Sequence, residues 1–369
     1  MRCYLDYNAS APLLKEVKDY VLSVMEIEGN PSSIHKSGRE AKKIIEESRE
    51  KVATLINAEK TNIIFTSGAT EANNIIINSF DNVIASEIEH DSILNGKNVI
   101  KVKVTSDGYV DLTDLNNIIK KVKDKSKYVI SVMLANNETG IIQPVDKISK
   151  IAKDNDMLFH TDAVQAIGRV STDFNKIGCD FLTMSSHKIG GLKGAGALVV
   201  KNKNKLRSCL IGGSQEYSLR PGTEALTAIA GFGMAASRIN LTDMKNVEKV
   251  RNFFEKELLN ENKDILLIGN KSKRLPNTFM FCIPGITSNN ILIALDIEGF
   301  EASAGSACSS GKIEPSRILK AMGFSKNILN SSIRVSLGPY NNYEQAKSFS
   351  EAIKNIKKRF LKKKHDIFR

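Results

Sequence analysis

Seven short apolar runs organise the hydrophobic pattern of this 369-residue chain. Each run is brief and is bounded by polar or small residues, which is typical of a buried β-strand. Helical segments separate most of the runs, so the pattern predicts an α/β fold with a seven-stranded, mostly parallel sheet and helices on both faces. The runs lie at residues 63–65, 83–85, 99–104, 128–134, 157–161, 181–184 and 197–200.

Helical patterns surround these runs. Pro12 is predicted to begin a first helix, because proline favours the first helical position. Residues 36–57 carry apolar positions on one stripe amid charge, which predicts a long amphipathic helix. Residues 226–259 are also predicted to be helical, with a break near Asn240.

The pattern changes after residue 200, where loops and then an alternating strand appear. Residues 277–282 and 332–337 read as strands, and a long helix ends the chain. We therefore predict two domains. The large domain takes residues 12–245, and a smaller α+β domain is built from the chain ends, 1–11 and 246–369.

Composition narrows the class of protein. Apolar residues make up 41% and charged residues 25% of the chain, as in an ordinary globular protein. No run approaches the length of a membrane span, and the first residues lack the apolar core of a signal peptide, so we expect a cytoplasmic protein without membrane contact.

The cysteines are widely spaced and form no Cys-x-x-Cys pair. This spacing argues against a disulfide framework and against a zinc site, and it leaves room for one catalytic thiol. We expect no metal. The cysteines are Cys3, Cys179, Cys209, Cys282 and Cys308.

The formal net charge is +12, and part of it is concentrated in residues 357–364. The solvated end of a helix is the simpler interpretation of this basic stretch. A docking patch for an acidic protein or for RNA is the alternative. No stacking aromatic residues accompany it, so we do not expect nucleic-acid binding.

Two polar residues stand at the ends of predicted strands. Asp162 closes the run at 157–161, and Lys188 follows the run at 181–184. Ligands of open α/β sheets bind at the carboxyl ends of strands, so both side chains should reach one crevice. A carboxylate for a pyridinium nitrogen and a lysine for a Schiff base are the main requirements of pyridoxal phosphate (PLP) chemistry.

A turn of small residues, Thr-Ser-Gly-Ala-Thr-Glu at 66–71, joins the first of the seven strands to a helix. Small residues let the backbone approach a phosphate, free N–H groups at the helix start can hold it, and the Thr70 hydroxyl can add a bond. A plain turn with a Ser or Thr cap is the simpler interpretation. His90 follows the second strand and Asn137 the fourth.

Each of these residues also has an ordinary structural explanation. A strand-end lysine can reach solvent, an aspartate can cap a turn, and a histidine among acidic residues can lie on the surface. Their joint order along the chain favours a functional site. Cys308 is a further candidate, because it lies in a run of small residues, 302–311, which we expect to be exposed and mobile.

The sequence resembles the cysteine desulfurases of the NifS/IscS type, which lie within the class V aminotransferase group of fold type I PLP enzymes. The resemblance covers nearly the whole chain. It rests on ordered motifs at residues 29–33, 66–71, 89–90, 136–140, 160–165, 185–188, 220–223, 305–308 and 332–334.

The resemblance implies PLP as the cofactor. Lys188 would hold it covalently, Asp162 would pair with the pyridine nitrogen, and His90 would stack on the ring. Gln165 and Asn137 would contact the phenolic oxygen or the substrate.

Further contacts are implied for the phosphate and the substrate. Thr223 would reach the phosphate of a neighbouring subunit, which implies a homodimer. Arg334, with Asn30 near it, would bind the carboxylate of the substrate, as a bidentate arginine does well. The residues implied to cradle the phosphate are Ala69, Thr70, Ser185 and His187.

The implied reaction converts L-cysteine to L-alanine. Lys188 would remove the α-proton, and Cys308 would take the sulfur as a persulfide. The sulfur would then pass to an acceptor protein, either an iron–sulfur scaffold or a tRNA-thiolation enzyme. The catalytic candidates are therefore Lys188, Cys308 and His90.

The sequence departs from the family pattern in two places. Ala11 stands where a second hydroxyl residue commonly precedes the proline, and the segment 213–219 lacks its usual arginine. Three alternatives remain open: a selenocysteine lyase, another class V aminotransferase-like PLP enzyme, and a non-catalytic platform for sulfur transfer. An aminotransferase would have no use for Cys308 in a mobile loop.

Overall fold

The computed structural model describes residues 2–305 and 315–367, with side chains described through residue 360. The strands are β1 (Cys3–Tyr4), β2 (Ile63–Thr66), β3 (Asn82–Ser86), β4 (Val99–Val102), β5 (Tyr128–Ser131), β6 (Leu158–Asp162), β7 (Phe181–Ser185), β8 (Gly196–Val200), β9 (Leu266–Ile268), β10 (Thr278–Cys282), β11 (Phe300–Glu301), β12 (Ser303–Ala304) and β13 (Ser332–Ser336). The helices are α1 (Lys15–Met25), α2 (Lys36–Leu55), α3 (Ala69–Ser79), α4 (Asp91–Leu94), α5 (Leu112–Ile119), α6 (Val145–Asp154), α7 (Phe174–Ile177), α8 (Leu226–Ser237), α9 (Leu241–Glu261), α10 (Ser288–Ile297), α11 (Arg317–Ala321), α12 (Lys326–Leu329) and α13 (Tyr343–Ile367).

The seven predicted strands form one sheet in the order β2-β8-β7-β6-β5-β3-β4. The pairs from β7 through β6, β5 and β3 to β4 are parallel, whereas β8 runs antiparallel to both β2 and β7. The prediction of a mostly parallel seven-stranded sheet is therefore confirmed. The parallel strands place their carboxyl ends along one edge.

Both faces of this sheet are covered, as the pattern predicted. In β2, Ile63 and Phe65 belong to the hydrophobic cluster that includes residues of α2 and α8. Ile64 faces the other way and joins the cluster that includes α3 residues. Successive side chains of a strand point to opposite faces, so a strand that is apolar at every position needs packing on both sides.

A second core lies around the four-stranded sheet β12-β13-β10-β9, which is antiparallel throughout. Helices α9 and α13 pack against each other beside it. Its centre is aromatic: the rings of Phe254, Phe279, Phe281 and Phe300 lie around Phe349 or next to one another, with centroids 5.4–6.3 Å apart. The parallel pair β1–β11 brings the N-terminal residues to this region.

Two details of the helix predictions are settled by the structure. The break near Asn240 is confirmed, because α8 ends at Ser237 and the Asn240 side chain caps α9. The helix start at Pro12 is wrong: α1 begins at Lys15. The residues before it are tied elsewhere, since the Ala11 N–H donates to His187 O and the Leu14 N–H donates to Gly190 O. The division into domains at residue 245 stays a prediction.

Candidate functional site

A cavity of about 1030 Å³ opens at the carboxyl edge of the parallel strands. It collects side chains from both sheets and from the N-terminal segment. Most of the predicted site residues line it together: Ala69, Thr70, His90, Asn137, Asp162, Gln165, Ser185, His187, Lys188 and Arg334. Their individual roles stay predictions.

Lys188 ends a short 3₁₀ turn, Ser186–Lys188, that follows β7 directly. Its Nζ donates to the carbonyls of Asn8 at 2.6 Å and Ala9 at 2.8 Å. The pKa of Lys188 is lowered to about 7, first by desolvation and then by the nearby positive charges of Arg169 and Arg334. The amine is therefore partly neutral near pH 7, as a nucleophile or base must be.

Asp162 is the last residue of β6 and is buried, with 7% of its surface exposed. Because β6 and β7 are parallel neighbours, the carboxylate and the lysine share one sheet edge. The carboxylate is held on both oxygens: Oδ1 accepts from the Val164 N–H at 3.0 Å, and Oδ2 accepts from Asn73 Nδ2 at 2.9 Å. It can accept a further donor from inside the cavity.

The N-terminus of α3 provides a place for an anion. Its N-cap is Gly68, and no side chain caps it. A Cβ at Gly196, on the neighbouring β8, would lie 2.6–2.7 Å from the Gly68 backbone, so the close approach of these segments requires glycine there. Ala69 and Thr70 open the helix at the cavity wall, where free N–H groups and the helix dipole favour a phosphate.

His90 and His187 line the cavity from different elements. His90 is the N-cap of α4, and its Nδ1 accepts from the Ser92 N–H at 3.1 Å. His187 Nδ1 lies 3.2 Å from Ser10 Oγ. Desolvation and the charge of Lys188 lower the pKa of His187 to about 4, so this imidazole is neutral at physiological pH.

Gln165 is fixed by a neighbour that the sequence did not single out. Arg169 Nη1 donates to Gln165 Oε1, and Gln165 Nε2 donates to Asn8 O at 3.1 Å. Arg169 is itself buried without a carboxylate partner among its described contacts, and desolvation lowers its pKa to about 9.

Arg334, from β13, reaches the cavity from the small sheet and is 3% exposed. Its Nη2 donates to Asp6 Oδ1 at 2.7 Å, and its Nη1 donates to Asn137 O at 3.1 Å. Two of its five N–H donors are used in this way, and the Nε–H is buried without a hydrogen-bond partner in the described part of the chain. A buried guanidinium donor without a partner costs free energy, which a bound carboxylate would recover.

Two of the predicted site residues that the structure describes, Thr223 and Asn30, do not line the cavity. Thr223 is exposed on a loop. Asn30 is exposed as well, and its Oδ1 accepts from the Ser32 N–H at 2.9 Å. Cys308 lies outside the described residues.

The cavity also contains acidic residues that the sequence pattern does not single out. Glu89 is one of several acids around His90 in the sequence, yet it is fully buried: Oε1 accepts from Ser86 Oγ at 2.5 Å and from the Met133 N–H at 2.8 Å. Burial raises the pKa of Glu89 to about 8. Glu138 is buried too and accepts from Ser316 Oγ at 2.5 Å. Only the tertiary structure distinguishes these carboxyls from surface ones.

The whole chain is similar in sequence to known proteins. The profile of the family described as Aminotransferase class-V matches residues 3–349. This chain belongs to the class-V aminotransferase family. Among curated relatives, "Cysteine desulfurase IscS" of Dictyoglomus turgidum is 39% identical and aligns over 96% of this chain and 94% of its own length. "Cysteine desulfurase IscS" of Methanosarcina thermophila is 37% identical, over 96% and 91% of the two chains.

Solved structures agree with this placement. The NifS-like protein of Rickettsia africae superposes with a TM-score of 0.91 at 36% identity, covering 96% of this chain and 99% of that one. A structure titled "SspA in complex with cysteine" gives a TM-score of 0.79 at 28% identity, covering 93% and 100% of the two chains. The fold is that of the NifS-like, fold type I PLP enzymes.

Enzymes of this family use PLP, and the residues of the cavity fit that cofactor. The uncapped start of α3 suits a phosphate. The fixed, buried carboxylate of Asp162 suits a pyridinium nitrogen, and the lowered pKa of Lys188 suits covalent attachment of an aldehyde.

Within the described part of the chain, no helix is both long and apolar enough to cross a bilayer.

Proposed function

We propose that this chain is a PLP-dependent cysteine desulfurase, which converts L-cysteine to L-alanine and transfers the sulfur through Cys308 to an acceptor. The observation that supports it most is the grouping of Lys188, Asp162 and Arg334 in one cavity. An amine, a carboxylate and a carboxylate-binding guanidinium are what a PLP enzyme acting on an amino acid needs. The similarity to cysteine desulfurases selects the reaction.

PLP, when bound, supplies an electron sink for the carbanion that forms at the substrate α-carbon. The start of α3, with Ser185 and His187, would hold its phosphate. Asp162 would hold the pyridine nitrogen, and Lys188 the aldehyde carbon. His90 would face the ring.

Arg334 would bind the carboxylate of cysteine. Asp6 accepts one hydrogen from Nη2 and Asn137 O accepts one from Nη1, so the second hydrogen of each of these nitrogens, together with Nε–H, remains for a ligand among the described contacts. The pair with Asp6 keeps the guanidinium in place, because rotation would break an ion pair that is largely buried.

Lys188 would carry the proton. Its Nζ, neutral in a large fraction of molecules near pH 7, can accept the α-proton of the substrate and later return it to the product. The carbonyls of Asn8 and Ala9 accept hydrogen bonds from the amine and hold it at the cavity wall.

The sulfur step is assigned to Cys308 on sequence grounds. Its thiolate would attack the sulfur of the substrate, so the carbon–sulfur bond breaks and a sulfur–sulfur bond forms. The β-carbon gains a proton and becomes the methyl group of alanine. The persulfide on Cys308 then gives its outer sulfur to an acceptor, such as an iron–sulfur scaffold or a tRNA-thiolation enzyme.

Assembly and location belong to the same proposal. Exposed apolar side chains at Leu22, Met25, Ile34 and Ile211 support burial against a second copy, and a homodimer would bring Thr223 to the partner's cofactor.

We further propose a cytoplasmic enzyme whose domains divide at residue 245. The basic stretch that begins at residue 357 is partly neutralised, because Lys357 and Arg359 pair with Asp264 and Glu298.

An absorption spectrum of the purified protein, recorded before and after addition of L-cysteine, tests the proposal. We expect a visible band from lysine-bound PLP that changes with cysteine, and equal amounts of alanine and sulfide under reductant. A band without sulfide would indicate another PLP reaction. A protein that shows no band even with added PLP would support a non-catalytic platform. A much faster reaction with selenocysteine would identify a lyase.

The role of Cys308 has its own test. Cys308→Ala should retain the PLP band and lose sulfide release. Cys209→Ala is the matched control, since Cys209 is an exposed free thiol away from the cavity lining. Sulfide release at the normal rate by the Cys308 variant would rule out the persulfide route.

A further inference from the structure

Asn73 occupies the second turn of α3 and is 1% exposed, at the wall of the cavity. Its Nδ2 lies 2.9 Å from Asp162 Oδ2 and also 2.9 Å from Ser92 Oγ. An amide nitrogen carries two hydrogens, so each acceptor can receive one. One amide group thus connects β6 with α4.

The orientation of this amide has no equivalent alternative. The Asn73 Oδ1 atom is buried without a hydrogen-bond partner among the described residues. A flip would turn that oxygen toward the Asp162 carboxylate, replacing a donor by a second acceptor. The hydrogen bond to Asp162 would be lost, and Ser92 could bond to the flipped oxygen only by withdrawing its hydroxyl hydrogen from His90, so the amide is held in one orientation.

The connection continues from Ser92 to His90. Ser92 Oγ lies 2.8 Å from His90 Nδ1, and the Ser92 N–H donates to the same nitrogen at 3.1 Å. A backbone N–H can only donate, so Nδ1 is an acceptor and a neutral His90 ring carries its proton on Nε2. Ser92 can then donate its hydroxyl hydrogen to Nδ1 while it accepts from Asn73.

We propose that Asn73 is a positioning residue that fixes Asp162 and His90 relative to each other. Its amide group holds the Asp162 carboxylate directly and holds the His90 imidazole through Ser92. The inference rests on the proposed function, in which Asp162 contacts the pyridine nitrogen of PLP and His90 contacts the face of its ring. The hydrogen bonds that run from His90 through Ser92 and Asn73 to Asp162 make the two contacts interdependent, so that displacing one end alters the other.

The first readout needs neither cofactor nor substrate. The chain has five histidines, so histidine-selective ¹⁵N labelling gives a simple imidazole spectrum, in which His90→Gln identifies the His90 signals. We expect wild-type His90 to show the Nε2–H tautomer. Asn73→Ala should shift the Nδ1 resonance of His90, although Asn73 and His90 share no hydrogen bond. The resonances of the other histidines should stay unchanged.

The matched control is Asn78→Ala. Asn78 lies on the same helix and is exposed, and its Nδ2 donates to Asn74 O at 2.8 Å. It should leave the His90 signals unchanged. Asn73→Asp, which keeps the volume and removes the amide donors, is the second variant should Asn73→Ala unfold. An unchanged His90 Nδ1 resonance in the folded Asn73 variant would overturn the proposal.

The second readout is PLP affinity, measured by titrating the apo protein and following the visible band. Asn73→Ala should weaken PLP binding about tenfold, the effect of losing one hydrogen bond to a charged group. Ser92→Ala should weaken it less. In the double variant the effect of Ser92→Ala should largely vanish, because its link to Asp162 is already gone.

The possible results separate the two proposals. Additive effects of the two substitutions, or equal PLP affinity of Asn73→Ala and Asn78→Ala, would overturn the positioning role. Wild-type protein that fails to bind PLP would refute the proposed function, while the imidazole spectra would still report on the hydrogen bonds.

Discussion

The strand-end cavity and the aromatic core of the small sheet are built on opposite principles. In the cavity and its surroundings, titratable groups are buried: Glu89, Arg334, Asp162 and Arg169 are 0%, 3%, 7% and 7% exposed. Burial removes each group from water, and the few hydrogen bonds that replace its hydration seldom compensate for the free energy of desolvation. The core around Phe349 is apolar and closely packed, and its burial stabilises the fold directly.

This difference predicts where mutations act. A substitution in the cavity should affect chemistry far more than folding, because the buried polar groups there contribute little net stability and several of them are candidates for binding or proton transfer. A substitution in the aromatic core should do the reverse. Stability and activity therefore have to be measured together in every variant.

The largest effect is expected for Lys188→Ala. In the proposed mechanism the amine attaches PLP and transfers the proton, so without it cysteine turnover should fall by about 10⁴-fold or more. The midpoint of thermal unfolding of the apo protein should move little, because the amine is partly desolvated and has a lowered pKa. Turnover within tenfold of wild type, measured as alanine release, would contradict the assignment.

Phe349→Ala should produce the opposite result. Removing a fully buried ring that contacts other rings should destabilise the protein by about 3–5 kcal/mol. Urea unfolding measures this loss, and kcat per folded molecule should be retained. Phe253→Ala, at a half-buried ring beside Tyr343, is the control and should cost less. Equal losses for both would show that the core around Phe349 is not a special source of stability.

Arg334→Lys should raise the KM for cysteine by roughly 10–100-fold with a smaller change in kcat. Lysine keeps the positive charge, but its compact ammonium group cannot hydrogen-bond to Asp6, Asn137 O and a substrate carboxylate at once, as the wider planar guanidinium can. Steady-state kinetics with L-cysteine measure the split. Asp6→Asn, which loosens the guanidinium without removing it, should have a weaker effect on KM. An unchanged KM in the lysine variant would place the carboxylate elsewhere.

Glu89→Gln should give the smallest change and a distinct pH dependence. The pKa of Glu89 is raised to about 8, so the native carboxyl is protonated at neutral pH while the unfolded one is ionised. The native state binds more protons between the two pKa values, and wild-type stability from this group falls as pH rises toward 8.

Glutamine cannot ionise, so the variant should gain roughly 2 kcal/mol of stability relative to wild type between about pH 6 and pH 8. Urea unfolding of the apo proteins across this range measures the difference. The groups that face Glu89 are Ser86, the Met133 N–H, Asp162 and Arg317, and none is altered by the change. A difference that shrinks with rising pH would refute the protonated native state.

Much of the large sheet and several site residues followed from local sequence. Buried strands show as short apolar runs, and a residue just after a run must lie at the carboxyl edge, so the amino-acid pattern alone places Asp162 and Lys188 together. The helix start predicted at Pro12 is wrong, because long-range hydrogen bonds to His187 and Gly190 outweigh the local preference of proline.

The remainder depends on contacts between distant parts of the chain. Asp6 and Arg334 are 328 positions apart, and Asn73 and Asp162 are 89 apart. No periodicity reports such pairs, nor does composition distinguish a buried Glu89 from an exposed acid nearby. The partners of the catalytic candidates were therefore less predictable than the candidates themselves.

The N-terminal segment has a consequence for the order of biosynthesis. The ribosome makes Asn8, whose carbonyl holds Lys188, 180 positions before that lysine, and β1 pairs with β11, in which Phe300 is the partner of Cys3. The large sheet is fully synthesised at Val200, but Asp6 must wait for Arg334. At about 5–20 residues per second, this delay is on the order of ten seconds. A nascent chain carrying a complete large sheet would still lack Arg334, so the cavity is completed only after that residue has been made.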